Sequence, residues 1–144
     1  MSDAVRRVTP VVRLAPAKVN LTLAVLGRRL DGFHDLHSIM APLDLADRLA
    51  LSPAFGPADR LHVVGPGGEP GPDLGPPAAN LALRALGVAR EALRRAGEDA
   101  PLPALAIRLE KRIPAAAGLA GGSSDGAAAL DGALEAWGME DRLD

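Results

Sequence analysis

Eleven consecutive residues carry the strongest chemical signal in the chain: Pro114-Ala115-Ala116-Ala117-Gly118-Leu119-Ala120-Gly121-Gly122-Ser123-Ser124. Three glycines sit between a strand-like segment and a helical pattern that is expected to start at Ser123. Glycine lets a backbone come close to a ligand and take positive φ. The first N–H groups of a helix have no partner inside it, and the helix dipole favours negative charge there. Together these features describe an anion site, and the usual anion is phosphate. Ser123 and Ser124 add hydroxyl donors, and the alanines leave room for a phosphate chain. The spacing is not a Walker A loop, because no lysine follows Gly122, and it is not Gly-x-Gly-x-x-Gly. A plain connector capped by serine also explains Gly-Gly-Ser-Ser. The position between strand and helix favours the anion site.

A second group of chemical residues lies upstream. Lys18 and Asn20 share one face of an alternating segment, opposite Val19, Leu21, Leu23 and Val25. A lone lysine on a strand is normally just solvated. Phe33 and His34 follow the turn signal Asp31-Gly32, where a histidine commonly bonds nearby backbone. His37 and His62 receive no role. Asn80 is a candidate nucleotide contact that helix capping explains equally well, and Asp125 is a candidate neighbour of the phosphates or a metal, although a carboxylate in a first helical turn also simply suits the dipole.

These residues need a scaffold, and 144 residues can bury a core. The chain is 48% hydrophobic and 24% charged, as globular proteins are. Sixteen basic against 18 acidic residues and three aromatics argue against a nucleic-acid partner. Without cysteine there is no disulfide, thiolate metal site or thiol nucleophile. The N-terminal arginines precede no apolar run, and no stretch has the length of a membrane span. A cytoplasmic protein with no membrane partner is the expectation.

Period-two alternation predicts a strand over residues 18–25, with a separate strand over 11–14 broken off by Pro16. Short strands are expected at 38–43, 48–51, 61–64 and 105–110. Residues 65–77 are dense in Gly and Pro and read as loop. Leu83, Leu86, Ala89 and Leu93 give one helix ending near Gly97; Leu130, Ala133, Leu134 and Trp137 give a second ending at Gly138. Strands that neighbour strands favour an α+β fold.

The glycine segment resembles the phosphate loop of the GHMP kinase superfamily, Pro-x-x-x-Gly-Leu-(x)-Gly/Ser-Ser. Ala15-Pro16-Ala17-Lys18-Val19-Asn20-Leu21 and Gly27-Arg28-Arg29-Leu30-Asp31-Gly32-Phe33-His34-Asp35-Leu36 resemble the opening of one branch, the 4-diphosphocytidyl-2-C-methyl-D-erythritol kinases. Glu110-Lys111-Arg112-Ile113-Pro114 and the helix from Ser123 match as well. The resemblance implies a ribosomal-protein-S5 domain 2-like GHMP kinase N-terminal (ATP-binding) domain over residues 1–144, truncated at its end. The C-terminal ferredoxin-like domain would be absent. It implies ATP and Mg2+ as cofactors, with metal ligands not assignable, and a CDP-linked methylerythritol as acceptor. It makes Lys18 catalytic, residues 114–124 the ATP-phosphate cradle, and Asn20, Phe33 and His34 substrate contacts. Tyrosine is common in the branch where Phe33 stands. The branch pairs its lysine with an aspartate in Gly/Ala-Asp-Val-Pro; Asp141 and Asp144 lie in a different context and are not that residue. A monomer or weak homodimer, inactive as 144 residues, is expected. The alternatives are a homoserine- or mevalonate-type kinase, or a nucleotide-binding module without catalysis.

Overall fold

The structure is a computed structural model that describes residues 7–142. Residues 1–6, 143 and 144, and with them Asp144 and most of the N-terminal arginine segment, lie outside the described residues. Strands β1 (Val11–Arg28) and β2 (His34–Pro53) form a long antiparallel hairpin. Strand β3 (Arg60–Val64) precedes helix α1 (Leu81–Arg95). Strand β4 (Leu105–Glu110) then leads into helix α2 (Gly121–Trp137). The sheet order is β1-β2-β4-β3, with β4 antiparallel to β2 and parallel to β3. This is the α+β arrangement the sequence predicts.

Alternation sets the buried face of the sheet. Leu49 and Leu51 on β2 and Leu105, Ile107 and Leu109 on β4 are buried; Arg108, between two of them, is exposed. Helix α2 lies against β1 and β2, and α1 packs on α2. The inward side of α2 is mostly small: Ala128, Ala129, Gly132, Ala133 and Ala136 are buried, with Trp137 closing the end. At Gly132 the approach is close enough that a Cβ would stand 2.8 Å from Leu51 Cδ1. Asn80 Oδ1 accepts from Ala82 N at 2.9 Å, the cap predicted for α1, and Gly97 beyond its end has φ +90°. Among the described residues no helix is long and apolar enough to cross a membrane.

Three expectations change. Pro16 does not break the first strand: β1 runs through it, with Pro16 opposite Ala46 and a register shift before Lys18. The strand lies at the sheet edge, where a residue without N–H costs no ladder bond. The segments predicted at 38–43 and 48–51 are likewise one strand, β2. Leu21, Leu23 and Val25, the apolar face of an alternation that ordinarily marks a strand buried on one side, are 65%, 57% and 63% exposed. In this stretch β1 pairs only with β2.

Candidate phosphate-binding site

The segment joining β4 to α2 has positive φ at every second residue: Ala116 at 58°, Gly118 at 73° and Ala120 at 59°. For alanine that conformation costs roughly 1–2 kcal/mol. Such strain concentrates at ligand sites. Alternation of backbone handedness turns successive N–H groups into one concavity, the arrangement that binds anions. Helix α2 starts at Gly121, two residues earlier than predicted, because Ala120 in the left-handed region already accepts Ser124 N at 3.0 Å. No side chain caps this end, so serine is not the N-cap, and the first N–H donors of α2 stay available.

A cleft of about 400 Å3 opens over these groups. The loop and the start of α2 form one wall, Asn80, Leu81 and Leu74 the other, with Lys111 and Asp125 also lining it. Asn80 therefore both caps α1 and borders the cleft. At Gly121 a Cβ would lie 3.1 Å from Ile113 Cγ2 and 3.3 Å from Lys111 Nζ. At Gly122 it would meet nothing nearer than Leu81 Cδ1 at 3.9 Å. The first glycine is needed for packing; the second leaves open space at the helix tip.

Lys18 belongs to the same place. Its backbone N donates to Leu119 O at 3.1 Å, which ties β1 to the glycine loop. Its Nζ donates to Asn20 Oδ1 at 2.8 Å. The predicted sharing of a face by these two residues is thus a direct contact. Phe33 and His34 are not brought to the loop. They lie at the far end of the hairpin, exposed, where His34 pairs with Arg28. Between Pro42, opposite Lys18, and His34 the strand contour is roughly 27 Å. Register shifts at three points bend this hairpin.

Beneath the loop lies a charged cluster that no assigned site residue anticipates. Asp47, Lys111 and Asp125 are buried, at 0%, 8% and 3% exposure. Lys111 Nζ donates to Asp47 Oδ2 and, at 3.0 Å, to Asp125 Oδ2. Asp47 Oδ1 also accepts Arg112 N at 2.5 Å and Ile113 N at 2.8 Å. Burial opposes the Lys111 charge, but its bonds to the two carboxylates outweigh this and raise its pKa. Burial pushes Asp125 up to about 6; Lys111 pulls it down and Asp47 pushes it further up. Asp125 Oδ1 has no donor. A signal for the pair exists in the sequence. Asp47 is in phase with Leu49 and Leu51, and Lys111 is in phase with Leu105, Ile107 and Leu109. Leu49 pairs with Leu109, so the antiparallel register, continued by one pair of inward positions, sets the two opposite charges against each other.

A concave loop at a helix tip and a lysine backbone-bonded to it sit on an α+β sheet, and residues 80–144 match the family described as GHMP kinases N terminal domain. The chain carries a GHMP kinase N-terminal domain. Its relatives include 4-diphosphocytidyl-2-C-methyl-D-erythritol kinases. One from Thermus thermophilus is 48% identical over 118 residues, 82% of this chain and 36% of the relative. One from Rhodopseudomonas palustris is 49% identical over 117 residues, 81% of this chain and 35% of the relative. A crystal structure of 4-(cytidine 5'-diphospho)-2C-methyl-D-erythritol kinase superposes with a TM-score of 0.63 at 45% identity, covering 90% of this chain and 42% of that one. A mevalonate diphosphate decarboxylase from Legionella pneumophila shares the fold, with a TM-score of 0.61 at 18% identity over 88% of this chain and 40% of that one. The resemblance drawn from the motifs is therefore upheld, and the chain spans about 36% of the length of the curated relatives it matches.

Proposed function

We propose that these residues form the ATP-binding part of a cytoplasmic kinase. It would phosphorylate the 2-hydroxyl of 4-diphosphocytidyl-2-C-methyl-D-erythritol in the non-mevalonate route to isoprenoid precursors. The observation that carries this is the 3.1 Å bond from Lys18 N to Leu119 O, because it sets a lysine beside an anion cradle. Phosphoryl transfer asks the protein mainly for positioning and charge stabilisation. The N–H groups of residues 116–123 hold the ATP phosphates in front of the α2 dipole. Lys18 offers its ammonium to the acceptor oxygen and the transferring phosphoryl group, where developing negative charge is worth most. Asn20 holds that ammonium in place through the 2.8 Å bond. The motif Asp31-Gly32-Phe33-His34 supports assigning the cytosine to the hairpin tip, with Phe33 stacking and His34 reading its edge.

Mg2+ would offset the charge of the ATP phosphates. No protein ligand is assigned to it.

Calorimetric titration of the chain with ADP tests the cradle. Saturable binding is expected, and Gly122→Val should abolish it, because the added side chain fills open space at the helix tip rather than packed core. Failure of the unsubstituted chain to bind ADP or ATP at millimolar concentration would refute the assignment. A coupled ADP-release assay with the diphosphocytidyl substrate is expected to show little turnover by these 144 residues, which contain no Gly/Ala-Asp-Val-Pro segment.

A further inference from the structure

The buried cluster of Asp47, Lys111 and Asp125 has no part in the function proposed above, yet it joins both ends of the glycine loop. Asp47 belongs to β2. One of its oxygens fixes the backbone where the chain enters the loop, accepting Arg112 N at 2.5 Å and Ile113 N at 2.8 Å. Its other oxygen accepts from Lys111 Nζ, which also donates to Asp125 on α2, where the chain has left the loop. Lys111 Nζ lies under the helix tip, 3.3 Å from where a Gly121 Cβ would be. Apolar side chains would serve the fold as well; replacing a buried ion cluster by apolar groups is often neutral or stabilising. What the charges add is direction, since each bond fixes one segment against another. Two carboxylates also share one ammonium, which leaves Asp125 Oδ1 buried without a donor.

Given the loop's role as a phosphate site, we propose that Asp47 and Asp125, acting through Lys111, are positioning residues for it. The bridge clamps the loop's entry at residues 111–113 to its exit at residue 125 and so sets the spacing at which the N–H groups meet an anion. The charged groups facing Asp125 are Lys111, from the segment after β4, and Asp47, from β2.

A charge-free triple variant, Asp47→Asn with Lys111→Met and Asp125→Asn, tests the clamp. The amide oxygen introduced by Asp47→Asn can still accept from the Arg112 and Ile113 amides, so the unfolding midpoint should stay near that of the unsubstituted chain. ADP should bind at least tenfold more weakly, and amide hydrogen exchange over residues 115–124 should quicken severalfold. Exchange over that segment equal to the unsubstituted chain would overturn the proposal. This readout needs no ligand, so a chain that binds no ADP at all would refute the phosphate site while exchange still decides the clamp. Asp125→Asn alone covers the case of a triple variant that fails to fold. Exchange over residues 115–124 should quicken in Asp125→Asn as well, and exchange there equal to the unsubstituted chain would overturn the proposal.

Discussion

The two ends of the β1–β2 hairpin carry the same kind of alternation and meet different fates. At one end Val11, Ala15, Leu49 and Leu51 are buried under α2, and Asp47 anchors a charged bridge in the same inward phase. At the other end Leu21, Leu23, Val25, Leu36 and Ile39 are all more than half exposed. Period two decides which side chains share a face. It does not decide whether anything covers that face. Coverage comes from α2, which packs on β1 and β2, and from β4, whose pairing with β2 spans only residues 48–53. The lesson is chemical as well as structural. The covered end holds a buried lysine with two carboxylates, whereas the uncovered end presents Phe33 and His34 to solvent.

Substitutions that unpair the covered end should break the contrast most strongly. Asp47→Ala leaves Lys111 with one carboxylate and strands two amide donors; removing one partner of a buried charge pair typically costs about 3–5 kcal/mol. Urea unfolding of the variant should show that loss, whereas Asp31→Ala at the exposed turn should stay within about 0.5 kcal/mol. Next is Gly132→Val, which drives a branched side chain against Leu51 Cδ1, where even a Cβ would stand at 2.8 Å. Overpacking of a core costs roughly 1–3 kcal/mol, measurable as a lower unfolding midpoint.

Acidity provides a third test. The folded-state pKa of Asp125, pushed up to about 6 by burial, lies above its unfolded value. The native state therefore binds this proton more tightly, and the resulting stability is fully present below about pH 4. It is lost as pH rises from about 4 to about 6 and levels off above, a change on the order of 1–3 kcal/mol. Unfolding midpoints of the unsubstituted chain minus those of Asp125→Asn should show this slope; a difference flat across that window would place Asp125 in a solvated setting.

Most of the covered end is legible in the sequence. The inward phase of β4, the Asn80 cap and the stripes of both helices follow from spacing, and the glycine loop follows from residue type. Two features are hidden for physical reasons. Pro16 reads as a strand breaker because its meaning depends on whether its strand lies at an edge, and edge position is a property of the whole sheet. Asp47 and Lys111 receive no site assignment from the sequence because neither segment by itself shows what its inward charge meets. Only the register, which sets Leu49 opposite Leu109, turns two out-of-place charges into one pair. Motif matching found the lysine whose surroundings are partly open, Lys18, and gave no role to the buried one.

The smallest expected effect is the sharpest test of the comparison itself. Leu23→Thr keeps a residue with good strand propensity and changes only how apolar the side chain is. If the far end of the hairpin is as open as its 57% exposure at Leu23 indicates, little transfer free energy is lost, and the unfolding midpoint should move by no more than about 0.5 kcal/mol. Leu51→Ala, on the same hairpin but buried to 1% exposure, should cost about 2–5 kcal/mol by leaving a cavity. A ratio near one between the two variants would mean that Leu23 is covered in solution. The difference between the two ends would then come from what packs on the hairpin there rather than from the reach of α2 and β4.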